Sequence, residues 1–168
     1  MGSREIDAYD PDEAIWRYMS GGPFADEAGL RNWLQAQVDN PTGCPLAVYD
    51  VASDSPVGVA NLMSNVPAHL SIELGNIWYS PLVQRMGVNT ESTYLMLKHV
   101  FDLGYRRVVW KCDALNARSR KSALRFGFKF EGIHEAHYIV KNRNRDTAWF
   151  RLLDSEWDTV RPQIESLL

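Results

Sequence analysis

The sequence predicts an α/β fold, a mixed sheet with helices on its faces. Three observations predict it. Apolar residues run in three early strand-like stretches bounded by turn residues. The hydrophobic period then switches to helical and back, twice. Two long strand-like stretches close the pattern around a polar turn.

In order, Asp10-Pro11-Asp12-Glu13 reads as a helix start. Asp10 would cap, Pro11 would take the first helical position, and Glu13 would reach back to the cap. This helix is expected to run to about Met19. A second helix is expected from Asp26 to Val38, with Leu30, Trp33, Leu34 and Val38 on one face. Residues 46–50 and 57–63 flank Ser53-Asp54-Ser55-Pro56 and read as a hairpin. Ser71 to Tyr79 is a third strand, stopped at Ser80-Pro81 because proline cannot donate to a ladder. Tyr94, Leu97, Val100 and Phe101 then recur at helical spacing, and Gly104 closes that helix. Residues 108–112 read as a strand and 117–126 as a short helix ended by Gly127. Strands 128–140 and 145–153 follow, joined by Lys141-Asn142-Arg143-Asn144.

Length and composition bound the function. A chain of 168 residues is one domain's worth, and no linker, repeat or low-complexity stretch divides residues 1–168. Six Trp, seven Tyr and six Phe are too many apolar rings for a solvated coil. No run approaches the roughly 18 apolar residues of a membrane span, so no membrane partner is expected. A net charge of −3 argues against a protein held on nucleic acid by global charge. Cys44 and Cys112 read as reduced thiols of a cytoplasmic protein. Residues 1–20 lack the basic head and apolar run of a signal peptide, and Ile6 stands where a myristoylation motif needs Ser or Thr.

The segment from Pro81 to Glu91 is the most informative. It joins a strand to a helix, and Gly87-Val88-Asn89 precedes the helical pattern. Such a turn leaves backbone N–H groups pointing outward at a helix N-terminus, where they bind phosphate. On its glycine alone it reads as well as an ordinary strand-to-helix connection.

Its context resembles the acyl-CoA site of the GNAT N-acyltransferases. Ile72 to Pro81 is similar to the family's strand four. Gln84, Arg85-Met86, Gly87, Val88, Asn89 follows the loop of Arg or Gln, two variable residues, Gly, one variable residue, and Gly or Ala. A helix, a strand, the stretch Asn116 to Phe128, and Phe130-Glu131-Gly132 follow in the family's order. Asn116-x-x-Ser119, Leu124-x-x-Gly127-Phe128 and Glu131-Gly132 resemble the branch of the ribosomal-protein N-terminal acetyltransferases. The likeness covers about residues 45–157.

The resemblance implies a mostly antiparallel twisted sheet whose central strands splay to admit the pantetheine arm of acetyl-CoA. Gln84, Arg85, Met86, Gly87, Val88, Asn89 and Thr90 would hold the diphosphate. Backbone groups of Ile77 and Tyr79 would pair with pantetheine amides, and an N–H near Trp78 would polarise the thioester carbonyl. Asn116 could serve a pantetheine amide, or only cap the helix it opens. Asn89 departs from the family's Gly or Ala; Asn tolerates left-handed backbone and can cap a helix. The family's first strand has no clear counterpart in residues 1–9, which would leave an edge open or covered by a second copy in a homodimer.

Transfer to an amine needs a base for the ammonium proton, and an acid can serve the departing thiolate. Glu73 is the candidate base, with a cross-strand ion pair as its ordinary alternative. The Tyr that many family members use as acid is Ala123 here, and the resemblance puts Ser119 in its place; an exposed helix serine is the alternative. His134 and His137, three apart on one strand, are expected on opposite faces, and no metal is expected there. Arg145 and Asp146 fall at the hairpin where family members contact the acceptor. Arg118, Arg120, Lys121 and Arg125 read as a solvated face or as a 3′-phosphate contact. The six Trp are expected in cores rather than as a stacking platform.

The expected activity is direct transfer of an acetyl or other short acyl group from acyl-CoA to a primary amine in a ternary complex. The acceptor would be a small molecule or a peptide or protein N-terminus. The alternative is a CoA-binding or partner-binding module of the same fold that has lost catalysis.

Overall fold

The computed structural model describes residues 15–168. Along them run α1 (Glu27–Val38), β1 (Cys44–Asp50), β2 (Ser55–Val66), β3 (Ser71–Tyr79), α2 (Val88–Asp102), β4 (Arg107–Asp113), α3 (Ala117–Arg125), β5 (Lys129–Val140), β6 (Arg143–Leu153) and α4 (Asp154–Glu165). The strands form one six-stranded sheet in the order β1-β2-β3-β4-β6-β5. Only the β3–β4 pair is parallel; all other neighbours are antiparallel. The mixed α/β architecture is the expected one.

Alternation along the strands gives the sheet two unlike faces. One presents Leu62, Ile72, Leu74, Val108, Trp110, Phe150 and Leu152 to Met96, Leu97 and Val100 of α2, Phe126 after α3, and Trp157 and Ile164 of α4. This is the main core. The other face presents Glu73, Lys111, Asp113, Thr147 and Trp149. The residues before β1 and helix α1 lie on this side. Gln37 of α1 accepts hydrogen bonds at 3.2 Å from both Asn61 and Asn76.

Helix ends follow local chemistry. Asp26 caps α1, its carboxylate accepting from Gly29 N–H at 2.8 Å. The apolar stripe of α1 is only half-buried, and Val38 is exposed. Gly104, with φ +85°, ends α2, and Gly127, with φ +79°, follows α3. Lys141 and Asn142 both have positive φ, so the last hairpin turns in two residues and Arg143 already belongs to β6.

Two expectations change, and a third falls outside the described residues. The helix expected from Asp10 to Met19 lies partly outside the described residues; Ile15 and Trp16 are helical and the chain turns after them. The position of the missing first strand, residues 1–9, also lies outside. At the other end α4 was not expected. Its Trp157, Val160 and Ile164 are buried at helical spacing, but Pro162 breaks the pattern of a helix interior.

Candidate active site

Strands β3 and β4 part company early. They pair only at Ser71–Arg107, Ile72–Val108 and Glu73–Val109. Beyond Glu73, β3 runs on to Tyr79 and β4 to Asp113 without pairing, while β4 stays zipped to β6. The result is a cleft between two parallel strands, open towards their C-terminal ends. Ligands of open α/β sheets gather at such an opening.

A bulge shapes one lip. Between the pairs Asn61–Gly75 and Val59–Trp78, β3 carries one more residue than β2, and Asn76 has φ +48°. The extra residue turns Trp78 away from the main core and against Trp16, ring centroids 5.2 Å apart. Gly58 makes this fit possible: a Cβ there would sit 2.4 Å from the Trp78 carbonyl oxygen. Ile77 packs on the core instead, and the Tyr79 hydroxyl meets Ser92 Oγ at 2.5 Å. Burial raises the Tyr79 hydroxyl above its usual pKa. The indole Nε1 of Trp78 is buried without a partner among the described residues.

The loop after β3 supplies a cradle of main-chain donors. Arg85 (φ +69°) and Gly87 (φ +83°) are left-handed, and Gly87 caps α2. Amides of Gln84 and Met86 donate to Pro81 and Val83 carbonyls, and those of Thr90 and Glu91 to Gly87, so these are spent inside the fold. Among the described residues, no bond ties the amides of Arg85, Gly87, Val88 and Asn89. Val88 and Asn89 are in the first turn of α2, so Asn89 is helical rather than left-handed. A Cβ on Gly87 would meet nothing within 4 Å, so that side is free space. A pocket of about 220 Å³ opens here between Met86, Gly87, Glu91 and Leu168.

Across the cleft, Asn116 caps α3, accepting from Ser119 N–H at 3.1 Å. The Ser119 hydroxyl accepts from the Trp110 indole at 2.9 Å, so it is tied to β4 rather than free on a helix surface. Burial holds the neighbouring Cys112 thiol up, which makes it a poor nucleophile. Cys44 is exposed and far along the chain, on β1. Ala123 is fully buried and offers no polar group. Arg125 of the basic helix reaches Thr90 Oγ1 at 3.3 Å, and Arg120 the Ala114 carbonyl at 3.2 Å.

Glu73 lies where the strands separate, 5% exposed. Its Oε2 receives Lys111 Nζ at 2.7 Å and Ser64 Oγ at 2.9 Å. The ion-pair alternative is therefore what the geometry shows, but buried at the cleft rather than on a surface. Lys111 Nζ also stands 4.7 Å from the Trp149 ring centre.

The histidines overturn their expected placement. Between the pairs His134–Thr147 and Tyr138–Arg145, β5 advances four residues while β6 advances two. Ala136 takes φ +48°, and its N–H donates to Asp146 at 2.8 Å. This bulge brings His134 and His137 to one face, ring centroids 5.1 Å apart, both over Trp149. Strict alternation fails there because two residues are added to one strand only. Burial, and after it the neighbouring His134, Lys111 and Arg145, push His137 below its usual pKa. No cluster of three metal-ligating side chains stands among the described residues.

Aromatic residues crowd above the cleft on this same face. Trp16 packs edge-on to Phe24 and Trp33, at 5.1 and 5.7 Å. Its carbonyl accepts from Lys141 Nζ at 2.6 Å, tying this segment to the β5–β6 hairpin. Trp16, Trp110 and Trp157 are buried as expected, but Trp33, Trp78 and Trp149 are only partly so.

This architecture has close relatives. The chain matches the family described as acetyltransferase (GNAT) domain over residues 4–129. A GCN5-related N-acetyltransferase from Brucella melitensis is 39% identical with a TM-score of 0.89, covering 98% of this chain and 75% of that one. A GNAT-family structure from Chromobacterium violaceum is 42% identical with a TM-score of 0.80, covering 86% and 77%. The ribosomal-protein-serine acetyltransferase of Escherichia coli is 28% identical over 105 residues, 61% of this chain. The chain spans 58% of the length of that curated relative. A splayed parallel pair, a main-chain cradle and a family match over most of the sequence converge: the chain belongs to the GNAT acetyltransferases.

Proposed function

We propose that this protein is one GNAT-like domain over residues 1–168 that moves an acetyl group from acetyl-CoA to a primary amine. It does so directly, in a ternary complex, and in the cytoplasm. The observation that carries the proposal is the parting of β3 and β4 after three pairs, beside four untied amides at the head of α2. Those amides suit a diphosphate, and the gap suits an extended thioester arm.

Each residue has its work. Amides of Arg85, Gly87, Val88 and Asn89 hold the diphosphate, with Gln84, Met86 and Thr90 shaping the loop. Main-chain groups of Ile77 and Tyr79 steady the arm, and the N–H near Trp78 polarises the thioester carbonyl. Asn116 holds α3 in place through its cap and turns its remaining amide towards the donor. The amine nitrogen forms a bond to the acyl carbon while the carbon–sulfur bond breaks. Glu73 takes the amine's surplus proton, directly or through water, and Ser119 hands its hydroxyl proton to the departing sulfur while taking one from water. The acceptor is a small-molecule amine or a peptide or protein N-terminus.

Thiol release from acetyl-CoA with a panel of amines, and mass spectrometry of the products, tests this. Amine-dependent release with an acetylated product is expected. Tight CoA binding without turnover on any amine would make the protein a binding module instead.

A further inference from the structure

The face of the sheet that carries Glu73 is rich in basic side chains, and nearly all are neutralised. Among those contributed by β4 and β6, Arg107 pairs with Glu131 at 2.5 Å and Lys111 with Glu73 at 2.7 Å. Arg143 pairs with Asp113 at 2.6 Å, and Arg151 pairs with Glu156. Arg145 is the exception. Among the described residues its guanidinium makes no ion pair and no hydrogen bond; it stands 5.7 Å from the Tyr138 ring centre. Its Nε is buried without a partner among the described residues.

The surroundings repeat the pattern. Six buried side-chain polar atoms lack a partner among the described residues, and four belong to this hairpin: His137 Nδ1, Arg145 Nε, Thr147 Oγ1 and Trp149 Nε1. Buried polar groups are almost always satisfied, and a cluster of exceptions marks a place where something else binds. Lys111 links this corner to Glu73 and so to the cleft. Burial first, and then the charges of Lys111 and Arg145 among its neighbours, lower the pKa of His137. Charge and orphaned donors both call for an anion.

We propose that Arg145 is the anion subsite of the acceptor pocket, and that the acceptor is an amine that also carries a carboxylate. This rests on the N-acetyltransferase reading above and narrows its substrate class. A guanidinium presents its donors in a planar fork that matches a carboxylate. The same fork repels a polyamine. The carboxylate can come from the α-carboxyl of a free amino acid or from an acidic side chain near a peptide N-terminus.

The test compares acceptors that differ only in that group, with the full chain and saturating acetyl-CoA. The α-amino acids are offered as free acids and as amides, N-terminal Asp or Glu peptides against Asn or Gln peptides, and spermidine alone. The acid form is expected to exceed its neutral twin in kcat/KM by about 30-fold, as a charge-assisted fork contact implies. The pair that shows this names the source. In Arg145→Gln the ratio of acid to neutral should collapse towards one, chiefly through KM, while CoA affinity by calorimetry shows the fold intact. Arg145→Lys should fall between. Equal or better turnover of amides, neutral peptides or spermidine would overturn the proposal, as would equal loss on acid and neutral acceptors in Arg145→Gln. Should no amine release thiol, the transferase reading fails separately. The subsite is then judged by calorimetry of L-glutamate against L-glutamine amide with CoA present. Absence of an Arg145-dependent preference there overturns it too.

Discussion

The two sides of the cleft are built from different materials. The proposed donor side, residues 84–90, is main chain: left-handed Arg85 and Gly87, and four amides at a helix head. The other side is side chain: Glu73 and Lys111 where β3 and β4 part, Trp149 and Arg145 on β6, and the two histidines gathered by the bulge in β5. A main-chain site depends on backbone conformation alone and tolerates sequence drift at all but a few positions. A side-chain site depends on register, where one added residue reverses which face a group serves.

Substitutions can break that division. The largest effect is expected at Gly87→Val. Losing two charge-assisted bonds at about 1.5 kcal/mol each would weaken CoA about 100-fold. Valine would also destabilise the left-handed position by about 1–2 kcal/mol. Calorimetry with CoA and thermal unfolding separate the two effects, and unchanged CoA affinity would remove the loop from the site. Glu73→Gln should act on the other side only. It leaves the Lys111 ammonium without its carboxylate, and turnover should fall about 100-fold, the range of a lost proton acceptor, with CoA affinity held within a factor of two. An unaltered pH–rate profile would remove Glu73 as the base.

Asn116→Ala sharpens the comparison, because Asn116 is both cap and candidate donor contact. Loss of the cap should cost about 1 kcal/mol of stability. A raised KM for acetyl-CoA beyond that marks the second role; no change in KM leaves only the cap. The smallest effect concerns acid. Burial works against Glu156, but hydrogen bonds from Lys129 and Arg151 prevail and hold it at about 2. A carboxyl lowered in the folded state stabilises fully above its usual value near 4.5 and loses that contribution as pH falls towards 2. Unfolding followed from pH 5 to pH 2 should show the decline, flattened in Glu156→Gln.

The local structure of the loop after β3 was legible in sequence because its signals are local. Pro81 stops a strand, Gly87 permits a left-handed turn, and a helical pattern follows at once. The β1–β2 hairpin, β3 with its bounds and α3 were readable on the same grounds. The arrangement around Glu73 and the two histidines was not, because it is set by long-range register. Ala136 gives no hint of a left-handed bulge, so the histidines were assigned to opposite faces. Glu73 was placed on the right face, but its pairing with Lys111 depends on how β3 and β4 align. Helix α4 was hidden by Pro162, although Trp157, Val160 and Ile164 spell its buried stripe. The solitude of Arg145 is visible only once every neighbouring cation has been matched to its carboxylate.

The pocket between Gly87 and Leu168 has a practical corollary. Whatever polypeptide continues past residue 168, an affinity tag included, leaves the fold beside the diphosphate cradle. On the proposed assignment of this loop to the diphosphate, a bulky or acidic tail there would compete with the donor and lower the activity measured.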